Sequence, residues 1–68
     1  MNEEQLNLSV RKFLKQVGIT SQRELEKAVR AAELEGSLPD GPLEVRMTLD
    51  CPALNLRHEV QGKLDPGE

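Results

Sequence analysis

Gly36-Ser37-Leu38-Pro39-Asp40-Gly41-Pro42-Leu43-Glu44-Val45-Arg46-Met47-Thr48-Leu49-Asp50 is the stretch in which the period of the apolar residues changes. Upstream of Gly36 they recur at helical spacing. From Leu43 on, Leu43, Val45, Met47 and Leu49 alternate with Glu44, Arg46, Thr48 and Asp50, the period of a strand with one buried face. A second alternating run, Leu54 to Leu64, follows a short turn around Pro52. The expected fold class is therefore α+β in the order ααββ. Two N-terminal helices, near 3–17 and 21–35, pack in two layers on a C-terminal antiparallel β-hairpin with strands near 43–50 and 55–64. Residues 1–64 read as a single small domain and 65–68 as a frayed tail.

The helix boundaries follow from capping chemistry. Asn2 is placed to cap the first orphan amides, Gln5 completes a capping-box pattern, and Glu3 and Glu4 sit where the helix dipole favours acids. Leu6, Val10, Phe13, Leu14 and Val17 form one stripe, and Gly18 reads as a left-handed stop, with Ile19 folding back onto the last turn. Ser21 with Glu24 reads as a second capping box, with Thr20 as the rival cap. Leu25, Ala28, Val29 and Ala32 line the inner face of the second helix, which Gly36 closes. Pro-Asp-Gly at 39–41 favours a tight turn, and Pro42, which has no N–H to donate, suits the start of a strand.

Charge argues the register of the hairpin. The preferred pairing faces Leu49 with Leu56, Met47 with His58 and Val45 with Val60, and sets Arg46 opposite Glu59 and Thr48 opposite Arg57. A shift one way places Arg46 on Arg57 and Glu44 on Glu59, two like-charge contacts. A shift the other way pairs Asp50 with Arg57 and Glu44 with Lys63 but needs a longer loop. All three keep the same residues inward, because an even slip preserves the face.

With 68 residues, a lone cysteine and a lone histidine, the chain has neither an internal disulfide nor a His/Cys cluster at metal spacing to reinforce a small core. No cofactor is expected. Net charge is −3, from 9 Lys and Arg against 12 Asp and Glu, so the chain is not broadly drawn to polyanions. The deficit lies wholly after residue 35: the helical half holds six cations and six acids, the hairpin half three cations and six acids. No apolar run reaches the length of a membrane span or a signal-peptide core, and one unpaired cysteine fits a reducing, cytoplasmic setting.

Catalytic motifs are absent: no glycine-rich phosphate loop, no paired catalytic carboxylates, no nucleophile elbow. His58 shares the inward face of the second strand and reads as a structural histidine. Cys51, beside Asp50 and Pro52, reads as an inert thiol in the hairpin turn. The chain is expected not to be an enzyme. The residues left for a partner are the outward ones: Arg23, Lys27, Arg30 and Leu34 on the second helix, and Leu8 among Arg11, Lys12 and Lys15 on the first. The leading expectation is an interaction module, binding an unknown protein partner or a second copy. Open hairpin edges offer one route, a four-stranded homodimer. The alternative is a nucleic-acid binder of helix-turn-helix or winged-helix type, with Gly18, Ile19 and Thr20 as the turn and Arg23, Lys27 and Arg30 as the contacting cations. That pattern departs at Glu24, where a buried apolar residue belongs, and the hairpin tip carries no cation.

Beyond these local readings, Met1-Asn2-Glu3-Glu4, then Leu8-Ser9-Val10-Arg11-Lys12-Phe13-Leu14-Lys15-Gln16-Val17-Gly18-Ile19-Thr20-Ser21-Gln22-Arg23-Glu24-Leu25-Glu26-Lys27-Ala28-Val29, and later Leu56-Arg57-His58-Glu59-Val60-Gln61-Gly62, resemble a family of short uncharacterised bacterial proteins, a domain of unknown function. The resemblance covers nearly the whole chain. It implies a compact stand-alone cytoplasmic protein and assigns no catalytic or binding residue.

Overall fold

The computed structural model describes residues 1–67. One helix, α1, runs unbroken over Glu3–Glu35. After it come strand β1 at Leu43–Cys51, a 3-10 turn at Pro52–Leu54 and strand β2 at Leu56–Leu64. The α+β class holds, but the two expected N-terminal helices are a single one. The chain divides into two compact units, residues 1–38 and the segment from Pro39 onward. No described residue of either is buried.

The ends of α1 follow the capping signals. Asn2 is extended, and its side-chain oxygen accepts the Gln5 N–H at 3.0 Å. Gly36 stands at φ 73°, its N–H donates to Glu33 O at 3.1 Å, and the Ser37 N–H reaches Ala32 O at 2.9 Å. Those two bonds and the left-handed glycine make a Schellman stop. Between the caps the chain is proline-free and rich in Glu, Leu, Lys, Arg and Ala, all good helix formers. At 33 residues and a rise of about 1.5 Å each, α1 is roughly 50 Å long.

Gly18 does not stop the helix, and neither Ser21 nor Thr20 starts another. The Thr20 hydroxyl turns back, donating to Gln16 O at 2.8 Å and lying 3.4 Å from Val17 O. A β-carbon at Gly18 would meet nothing within 4 Å. The glycine is thus tolerated within α1 rather than demanded by a turn. A threonine inside a helix can satisfy its hydroxyl by this backward bond at little cost, so a cap residue after a glycine is not a boundary where apolar periodicity continues through it.

The hairpin is antiparallel and takes the longer-loop register. Leu43 faces Leu64, Val45 faces Gly62, Met47 faces Val60, Leu49 faces His58 and Cys51 faces Leu56. On the other face Glu44 meets Lys63, Arg46 meets Gln61, Thr48 meets Glu59 and Asp50 meets Arg57. The register preferred on charge is therefore wrong by an even slip, and proline is the reason. That register leaves Pro52 and Ala53 as a two-residue loop, whose favoured turns need positive φ at the first position. Proline is locked near −65°. The observed loop instead seats Pro52 in the first turn of the 3-10 segment and assigns the positive φ, 54°, to Asn55, whose N–H donates to Pro52 O at 3.0 Å. The strand residues that share each face are the same in both registers, because the slip is even. Leu54, expected inward on β2, lies in the turn and is 73% exposed. Beyond β2, the Gly67 N–H donates to Asp65 Oδ1 at 3.0 Å; the last residue of the expected frayed tail, Glu68, lies outside the described residues.

Candidate interaction faces

Because α1 is continuous, its apolar residues form a single seam. Leu6, Val10, Leu14, Val17, Ser21, Leu25, Ala28 and Ala32 follow one another at spacings of four, four and three. This is an 11-residue repeat, close to 3.67 residues per turn, the period that runs nearly straight along a helix with a slight right-handed drift. Phe13 and Val29 flank it. Large side chains fill its first half and small ones much of its second. Val17, Ser21, Leu25, Val29 and Ala32 are half-buried, while Leu6, Val10, Phe13 and Leu14 are exposed. Reading the chain as two helices hid this seam. The signal that finds it is the spacing carried through Gly18, from Leu14 to Val17 to Ser21 to Leu25.

The expected partner residues lie away from the seam. At about 100° per residue, Arg23, Lys27, Arg30 and Leu34 share one narrow arc, and the unbroken helix adds Lys12 to it. From Lys12 to Arg30 that ridge extends about 27 Å. Lys15 and Leu8 occupy the neighbouring arc, and Arg11 lies farther round, beside the seam. The structure therefore gathers Arg23, Lys27, Arg30 and Leu34 as expected and does not place Arg11 with them. The side chains on the ridge are solvated: Leu34 is 89% exposed. Lys27 is engaged by Glu24, Nζ to Oε2 at 3.8 Å, with both side chains mostly in water, an arrangement of small energetic weight.

The helix-turn-helix reading fails on geometry. Gly18, Ile19 and Thr20 are helical, so there is no turn to set a recognition helix at an angle to a supporting one. The hairpin tip, Pro52–Leu54, is apolar.

On the hairpin, Leu43, Val45, Met47, Leu49 and Cys51 share a face with Leu56, His58, Val60 and Leu64. His58 is exposed and lies opposite Leu49. Cys51 is a free, half-buried thiol at the last position of β1, not in the turn. Gly62 leaves that face open beside Val45, whose Cγ1 is the nearest atom, 3.9 Å from where a β-carbon would stand. A shallow depression there is lined by Glu44, Val45, Arg46, Gln61, Gly62 and Lys63. Among the described residues no group of three or more His, Cys, Asp or Glu is arranged to hold a metal ion, and no helix is long and apolar enough to cross a membrane.

The model of a family described as a family of unknown function, DUF6494, matches residues 1–67. No curated protein and no solved structure matches the chain.

Proposed function

We propose that this chain, which belongs to the DUF6494 family, is a non-enzymatic interaction module whose binding element is the apolar seam of α1. One observation carries the reading. A 33-residue helix bears a regular apolar seam, yet no described residue is buried. Helices in water draw most of their stability from packing an amphipathic face, not from intrinsic propensity. A seam maintained over about two and a half 11-residue repeats, from Leu6 to Ala32, is a surface built to be covered. The outward cations then serve solubility and keep the opposite face wet.

The seam also separates this reading from one based on the basic ridge. A ridge partner would leave the seam residues indifferent to substitution, whereas a seam partner makes them decisive. Heteronuclear NMR on the full chain tests this directly. Val17→Asp should alter the amide spectrum along the whole of α1 and change the apparent mass. Arg30→Glu should perturb only its immediate neighbours. If both substitutions leave distant amides and mass unchanged, the seam is not a binding element.

A further inference from the structure

Apart from the seam, we infer that the free edge of β2 pairs antiparallel with the same edge of a second copy, about a two-fold axis at Gln61, making one four-stranded sheet. The hairpin belongs to a compact unit of its own, and its sheet has two strands among the described residues. Two strands alone are marginal in water, whereas three or more with an apolar face can stand. β2 carries few of the devices that blunt an edge. It runs nine residues without proline, its register with β1 is unbroken, and His58 is the one polar side chain on its apolar face.

Charge selects the register. Arg57, Glu59, Gln61 and Lys63 form the polar face of β2, and all are exposed. With the axis at Gln61, Glu59 of one copy faces Lys63 of the other and Arg57 faces Asp65, each twice by symmetry. The hairpin already sets Glu44 opposite Lys63 and Asp50 opposite Arg57. Charges therefore alternate across the joined sheet: Glu44, Lys63, then Glu59 of the second copy, and Asp50, Arg57, then Asp65 of the second copy. Moving the axis to Val60 sets Arg57 on Lys63, and moving it to Gly62 sets Glu59 on Asp65. An axis at Glu59 or Lys63 sets that residue on its own image. Like charges directly opposed destabilise a strand pair. An axis at His58 avoids them but pairs only residues 56–60 of β2, because the 3-10 turn lies beyond.

The apolar face fits the same axis, which sets Val60 beside Gly62 of the second copy and His58 beside Leu64. Gly62 leaves that face open next to Val45, and a glycine inside a strand often marks a close approach by another chain segment. Val60 of the second copy fills the opening. The β1 edge offers less. Its longest register free of opposed like charges, about Thr48, gives only Arg46 facing Asp50 and has no opening to fill. The β2 interface is isologous, so it closes at two copies.

The test uses the full chain under reducing conditions at low ionic strength. Sedimentation equilibrium should give twice the chain mass. In a dimer mixed from isotope-labelled and unlabelled chains, filtered nuclear Overhauser contacts should join Val60 of one copy to Gly62 of the other, and His58 to Leu64. Contacts of Val60 with its own image in place of Gly62, or of Met47 with Leu49 of the second copy, overturn the inference. So do intermolecular contacts confined to α1, which would leave the seam as the binding element. Asp65 lies beyond the residues paired within the hairpin, so Asp65→Lys spares that pairing while placing a cation opposite Arg57 of the second copy. It should raise the dimer Kd about five- to tenfold. An unchanged Kd overturns the register, and a chain monomeric at every concentration overturns the pairing itself.

Discussion

Thr20 donates its hydroxyl backwards to the Gln16 carbonyl, at 2.8 Å, and this bond distinguishes one long helix from two short ones. A threonine that capped a second helix would accept from amides ahead of it. The consequence is sharpest at Gly18, two residues earlier, which keeps helical geometry with open space around it. Glycine in a helix interior is less stable than alanine by about 0.5–1 kcal/mol. Gly18→Ala should therefore raise the stability of α1 by about that amount, read as a higher midpoint in thermal circular dichroism at fixed protein concentration. Were Gly18 a left-handed stop, the same substitution would lower it.

The cap signals at Asn2 and Gly36 were legible because each has a local chemical cause that nothing downstream can override. The interior boundary was misread because Gly18 followed by Thr20 and Ser21 satisfies every local rule for a stop and a restart. What outvotes those residues is the non-local period that carries Leu14 through to Leu25. Local reading also placed the hairpin face correctly, since side-chain alternation does not depend on register. It missed the register because surface charge pairs are weak and forgiving. Arg46 and Glu59, set opposite each other in the rejected register, still lie 3.9 Å apart as diagonal neighbours in the observed one. The decisive residue was Pro52, whose fixed φ excludes the tighter loop. The candidate site divides in the same way. Arg23, Lys27, Arg30 and Leu34 were recognisably one face, while the seam depended on knowing that the helix does not break.

Asp50 tests the register. It faces Arg57 across the hairpin, so Asp50→Lys sets two cations opposite each other. The hairpin should lose about 0.2–1 kcal/mol, measured as faster amide exchange in β1 and β2. In the shorter-loop register Asp50 would face Asn55, and the substitution would be silent. Inter-strand nuclear Overhauser contacts should likewise join Met47 to Val60 rather than to His58.

Nucleic acid is the ligand that the ridge of Lys12, Arg23, Lys27 and Arg30 invites on charge alone. Four phosphate contacts on duplex would give a logarithmic salt slope of about −3.6. The chain carries a net charge of −3, Glu24 already engages Lys27, and the helix has no turn from which a groove-reading segment could project. We expect no salt-dependent binding of mixed-sequence duplex or single strands at physiological ionic strength, by fluorescence anisotropy. A slope near −3.6 that Arg23→Glu with Arg30→Glu removes would refute this.

Leu8 and Leu14 provide the closest contrast between seam and ridge. Their exposures are similar, 60% and 52%, so solvent contact gives no reason to rank them. Their positions do. Leu14 lies on the seam between Val10 and Val17, whereas Leu8 stands among Lys12 and Lys15 on the side turned away from it. Leu8→Asp should leave stability within about 0.5 kcal/mol, the ordinary range for a surface change. With the seam covered as proposed, Leu14→Asp sets a carboxylate in an apolar interface, a loss of about 2 kcal/mol or more per chain. Where a second copy covers the seam, mass action makes the parent protein and Leu8→Asp melt at temperatures that rise with concentration. For Leu14→Asp that dependence should vanish together with most of the helical signal at low concentration. Equal behaviour of the two variants would mean that the helix has no preferred face, and the seam would be a pattern without a partner.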